Sequence, residues 1–224
     1  MYLWTVQSKQ VLKKLLEDEK YYPDFDKSLG YGDMKQIYPS LLESFNTLNH
    51  SAFDGFVFCF YRDNTSGCEF ETISDIYDYL TRNLAVTEAF NFWSEDYAIL
   101  QFEPNSQVNI MPLDFNDVIK LSIGKTNDIE RVLLLYPELD PNKSISRFNK
   151  DIYNVINFMN EGMQNPYTQH RSFIEAHYPC LNLSDIRGVY SNLNYTATKK
   201  ATEPVLFDLP YEAQCIKTAI NSHI

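Results

Sequence analysis

The stretch "GFVFCFYR" at residues 55–62 places six consecutive apolar or aromatic residues between a glycine and an arginine. An unbroken run of that length reads as a central strand. Other segments supply the neighbours. "YLWTVQ" (2–7) alternates Tyr2, Trp4 and Val6 against Leu3, Thr5 and Gln7, as a strand does. "YAILQFEP" (97–104), "RSFIEAHYP" (171–179) and "DIRGVYS" (185–191) read as further strands. In the second of these, Phe173, Glu175 and His177 share one face, and Ile174, Ala176 and Tyr178 the other.

Helical periodicity fills the intervals. Ser8 is expected to cap a helix through "KQVLKKLLEDEKYY" (9–22), with Val11, Leu12, Leu15 and Leu16 on one face. A turn-rich loop (23–33) leads to a helix over 34–50, with Pro39 in its first turn. "ISDIYDYLTRNL" (73–84) carries the stripe Ile73, Ile76, Tyr77, Leu80 and Leu84. "VNIMPLDFNDVIKL" (108–121) is expected to end a strand, turn at Pro112 and begin a short helix. "RVLLLYPEL" (131–139) suits a strand or a short buried helix. Ser144 opens a helix with Phe148, Ile152, Val155, Ile156 and Met159 inward, and "YEAQCIKTAI" (211–220) makes a last one. The irregular order of strands and helices argues for an α+β fold and against a doubly wound sheet. The expected architecture is a single domain with a split, curved, mostly antiparallel sheet flanked by helices over 1–195. A linker and C-terminal helix (196–224) would pack on the same domain.

At 224 residues, with 16 Tyr, 15 Phe and only 7 Gly, the chain can bury a full core and is not a disordered or collagen-like sequence. No run of 18 apolar residues is present, and no basic segment followed by an apolar stretch opens the chain. Cys59, Cys68, Cys180 and Cys215 show neither CxxC nor zinc-type spacing and are expected to be free buried thiols. On these features the protein is expected in the cytoplasm, away from membranes.

The net charge of −11 is uneven. Residues 1–120 hold 9 Lys and Arg against 19 Asp and Glu, a balance of −10, and residues 121–224 hold 10 against 11. An acidic body repels phosphate backbones, so nucleic acid could bind only through a local basic patch in the second half. Arg147, Lys150, Arg171, Arg187, Lys199 and Lys200 are its candidates. The acidic first half suits a basic protein partner or a plain solvated surface.

Familiar catalytic signatures are missing. There is no GxGxxG, no GxxxxGK[ST], no GxSxG and no HExxH. His170 and His177 are seven apart, which on a strand puts them on opposite faces and does not make a metal pair.

Three stretches in this order, "LWTVQS", "FVFCFYRDN" with "YAILQFEPNSQVNIMPLDF", and "SFIEAHYPCLNLSDIRGVY", resemble an uncharacterised bacterial domain-of-unknown-function family whose members open on LWTIQ. The likeness spans about residues 1–190. Val118 stands where that family has a tryptophan, and Glu175 where it has a glutamine. The same layout is similar to the DarT-type ADP-ribosyltransferases. Those have a short first strand, an aromatic strand running into an arginine, and a late strand bearing a catalytic glutamate. That resemblance implies an enzyme using NAD as substrate, with no metal. Prokaryotic enzymes of that class often act as toxins or in phage conflict. Residue by residue it implies Glu175 and Arg62 as catalytic, and Thr5, Gln7, Tyr61 and His177 as cofactor-binding. Thr5 replaces the histidine of those relatives. Phe173 occupies the first position of the E-x-E pair used by arginine-modifying enzymes, so arginine is not the expected acceptor.

The chemistry fits these residue types. Breaking the nicotinamide–ribose bond builds positive charge on the sugar, which a nearby carboxylate stabilises. An arginine can clamp the pyrophosphate, and aromatic rings can stack on the nicotinamide. On this basis Leu3, Thr5 and Gln7 are expected to face Glu175 across a cleft, with Arg62 at its rim. The competing expectation is a non-enzymatic acidic protein that binds or inhibits a protein partner. There Glu175 is a solvent-facing strand residue, Arg62 a surface ion pair and the aromatic stripes core. A hydrolase whose site carries no recognisable motif is a third.

Overall fold

The computed structural model describes residues 1–26, 42, 45–47, 49–63, 66–82, 94–105, 111–114 and 173–221. Strand β1 (Leu3–Ser8) leads into helix α1 (Lys9–Asp18) and a two-residue strand β2 (Lys20–Tyr21). Strand β3 (Val57–Asp63), helix α2 (Ile73–Arg82) and strands β4 (Tyr97–Phe102) and β5 (Met111–Asp114) follow. After them come β6 (Phe173–Tyr178), β7 (Leu181–Asn182), a short 3-10 turn and β8 (Ile186–Ser191). Helices α3 (Tyr195–Thr198) and α4 (Tyr211–Asn221) complete the described chain.

Six strands form one open sheet in the order β5-β6-β3-β1-β4-β8, and every pairing in it is antiparallel. β2 and β7 make a separate two-stranded ribbon. This is the α+β fold expected from the sequence, with "FVFCFYR" as an interior strand. Each face of the sheet has its own core. On one, Leu3, Cys59, Leu100 and Ala176 pack with Leu12 and Leu15 of α1 and Ala213 and Ile216 of α4. On the other, Trp4, Phe60, Ile99 and Phe173 pack with Ile76, Tyr79 and Leu80 of α2. The two-residue period of the strands therefore sends successive side chains into different cores.

Several expectations need correction. Ser8 occupies the N-cap position of α1, but its side chain makes no capping bond. The helix start is tied instead by Lys9, whose backbone N donates to Asp96 O at 2.8 Å. α1 stops at Asp18, four residues short of the expected 22, because Glu19 turns left-handed at φ 60 and its N–H caps Leu15 O. Pro112 is not a turn. It lies inside β5, in register with Ala176, on an outermost strand of the sheet among the described residues, the kind of strand in which proline is tolerated. Of the cysteines, all free, only Cys59 is buried and Cys68 is exposed. Among the described residues no helix is long and apolar enough to cross a membrane.

The helix at 34–50 is described only in part, at residues 42, 45–47 and 49, which are helical. The short helix after Pro112, the segment 131–139, the helix after Ser144 and His170 lie outside the described residues.

Candidate functional site

The β3–β6 ladder builds the site. Phe58 is in register with His177, Cys59 with Ala176 and Phe60 with Glu175. Phe60 is also in register with Trp4 of β1. Glu175 and His177 thus share the Trp4–Phe60 side of the sheet, the side that α2 covers. They meet there: His177 Nε2 lies 2.6 Å from Glu175 Oε1. Glu175 is 3% exposed and His177 0%. The expectation of a solvent-facing Glu175 is therefore overturned. Both sheet faces are covered, so alternation on β6 separates two cores and not core from water.

Aromatic rings enclose the pair. The His177 ring lies 4.0 Å from that of Phe56, and Phe58 meets it edge-on at 5.4 Å. Phe25 packs on both phenylalanines, and Phe45 packs on Phe56. Beside Glu175, Phe60 and Phe173 stack at 4.3 Å. Burial pushes the Cys59 thiol well above its ordinary range, and the Glu175 charge adds to the effect. A carboxylate in such a setting loses several kcal/mol of hydration, offset only by good hydrogen-bond geometry. His177 Nδ1 is buried with no hydrogen-bond partner among the described residues.

The remaining expected site residues lie elsewhere. Thr5 shares the Leu3 face, opposite to Glu175. β3 stands between β1 and β6, which separates their backbones by about 9.5 Å. Thr5 Oγ1 donates to Phe58 O at 2.7 Å and accepts from Gln7 Nε2 at 2.7 Å, so both side chains are spent within the sheet. The expected cleft with Leu3, Thr5 and Gln7 facing Glu175 does not form, because pairing through β3 sets their faces apart. Tyr61 packs toward the Leu3 side, and its hydroxyl donates to Glu69 Oε1 at 3.4 Å. Burial first, then the Glu69 charge, pushes its phenol up. Arg62 follows a register shift after Phe60. Its Nη2 donates to Gly67 O, and its Cζ lies 5.7 Å from the Tyr61 ring centroid. The guanidinium is folded onto its own hairpin. The six therefore fall into three separate pairs, Glu175 with His177, Thr5 with Gln7, and Arg62 with Tyr61.

The phenylalanines around His177 were legible as a pattern. Phe56, Phe58 and Phe60 recur every second residue, which places three rings on one side of β3. What they surround was not, because the partner strand lies more than a hundred residues away. No group of three or more His, Cys, Asp or Glu among the described residues could hold a metal ion. Of the basic patch, Arg187 pairs with Glu103 at 3.2 Å and Lys199 sits 4.6 Å over the Tyr195 ring. Arg147, Lys150 and Arg171 lie outside the described residues. No family model matches the chain, and no curated protein or solved structure matches it.

Proposed function

We propose that the protein is a cytoplasmic, NAD-using ADP-ribosyltransferase-like enzyme of toxin or phage-conflict type, whose site is the Glu175–His177 pair. The observation that carries this reading is a carboxylate, 3% exposed and hydrogen-bonded to an imidazole at 2.6 Å, among phenylalanine rings. A fixed carboxylate in a dry, aromatic setting is suited to a sugar cation. Its field is little screened there, and it needs no reorganisation when the positive charge develops. Thr5, Gln7 and Tyr61 have no part in this version of the site, since they lie on the other sheet face.

Purified protein incubated with labelled NAD and bacterial DNA, RNA and protein tests the proposal. Nicotinamide release and label transfer are expected. Glu175→Gln, which keeps an acceptor for His177 but loses the charge, should lower the rate about 100–1000-fold. A folded parent that releases no nicotinamide, or a variant as fast as the parent, overturns the enzyme reading.

One observation favours the second reading, a non-enzymatic protein that binds a basic partner through its acidic first half. The pair is closed off from solvent, as a structural pair would be. That reading expects no NAD turnover and a partner whose binding weakens with salt.

A further inference from the structure

The two ring nitrogens of His177 have unequal surroundings. Nε2 faces Glu175 Oε1 at 2.6 Å, while Nδ1 is buried without a partner among the described residues. A neutral imidazole holds one proton on one nitrogen. On Nδ1 that proton would be a buried donor with no acceptor, and Nε2 would press a lone pair against the carboxylate. On Nε2 it makes a charge-assisted hydrogen bond and leaves only a bare acceptor behind. The ring is held in this orientation by Phe56 at 4.0 Å and by Phe58 at an interplanar angle of 88°. The small exposure of the pair is on Glu175, 3% against 0% for His177.

We infer that His177 is a positioning residue: as the Nε2–H tautomer it donates to Glu175 Oε1 and fixes the orientation of the carboxylate. The inference rests on the reading that Glu175 serves the sugar cation of NAD. In that reaction the nicotinamide–ribose bond breaks, its electron pair leaves with nicotinamide, and the acceptor forms the new bond to the ribose carbon and releases its proton to water. The His177 proton stays on Nε2 throughout. The imidazole fixes the carboxylate from behind, and the phenylalanine cluster fixes the imidazole.

Nitrogen-15 NMR of the folded parent reads the tautomer directly. A proton on Nε2 and a bare Nδ1 are expected; a proton on Nδ1 overturns the inference whether or not the protein turns over NAD. Two variants test the consequence. His177→Phe keeps the stacked ring without a donor, and His177→Gln restores a donor amide within reach of Oε1. Turnover in His177→Phe should fall roughly 10–100-fold, as when outer partners of functional groups are lost, with KM little changed. His177→Gln should recover most of it. Turnover in His177→Phe equal to that of an active parent overturns the inference and leaves the enzyme reading standing. A parent with no NAD turnover overturns the enzyme reading instead. The Glu175 carboxyl carbon resonance then decides the positioning: it should move in His177→Phe and return in His177→Gln, and an unmoved resonance overturns the inference.

Discussion

Removing one member of the Glu175–His177 pair should destabilise the protein far more than removing both. The pair is buried and its members touch at 2.6 Å. Removing one partner of a buried hydrogen bond typically costs about 1–3 kcal/mol, because the remaining polar group stays in place without its partner. Glu175→Leu leaves His177 with both ring nitrogens unpartnered, since Nδ1 already has no partner among the described residues. His177→Phe leaves the carboxylate beside the stacked Phe60 and Phe173 rings with no donor from His177. The double variant is apolar throughout and matches its surroundings, so it should lie within about 1 kcal/mol of the parent or above it. In a domain of this size each kcal/mol moves Tm by about 2–4 °C. Each single variant should therefore melt roughly 2–12 °C below the parent, and the double variant close to it. Urea unfolding followed by circular dichroism gives the four stabilities of the cycle. Losses that add within about 0.5 kcal/mol would refute the reasoning, since independent sites behave that way.

Three further outcomes follow from the packing. Trp4→Phe removes the indole donor to Phe70 O at 2.7 Å in a fully buried position, and should lower stability by about 1–3 kcal/mol in thermal unfolding. A Cβ at Gly55 would meet the backbone C and O of Pro23 at 2.9 Å, whereas one at Gly188 would meet the end of the Tyr190 side chain at 2.5 Å. Gly55→Ala should therefore cost more than Gly188→Ala, and only the latter should be relieved by adding Tyr190→Ala; the reverse order in urea unfolding would contradict the packing. Burial pushes the Tyr77 phenol, which donates to Ser191 O at 2.7 Å, up to about 12. The folded state then holds its proton longer than the unfolded one, so stability is full below about 10 and falls as pH rises toward about 12. Tyr77→Phe should flatten that alkaline fall, measured as Tm against pH.

The residues that declared the strands did so through local rules. "LWTVQS" alternates, and Leu3 and Trp4 do enter different cores. Leu12 and Leu15 of α1 and Ile76 and Leu80 of α2 are buried as their spacing indicates. Tyr79, buried on α2, did not show in the stripe because it lies at the stripe's edge, beyond Ile76, and reaches Phe70 and Phe173 through a large ring. The early end of α1 was illegible because a left-handed Glu19 carries no compositional mark. The Glu175–His177 contact was half legible: their two-residue spacing put them on one face, but nothing local said that this face is sealed.

What the sequence determined by itself was the type of each element, because periods of two and of 3.6 residues are local properties of the backbone. What the tertiary structure decided was which faces meet. β3 inserts between β1 and β6, and its register aligns Phe60 with both Trp4 and Glu175. That one alignment puts Thr5 and Gln7 on the far side of the sheet from Glu175. Strand order and register arise from pairing between segments distant along the chain, stabilised by burying area on both faces at once. A pattern confined to one strand carries no record of it.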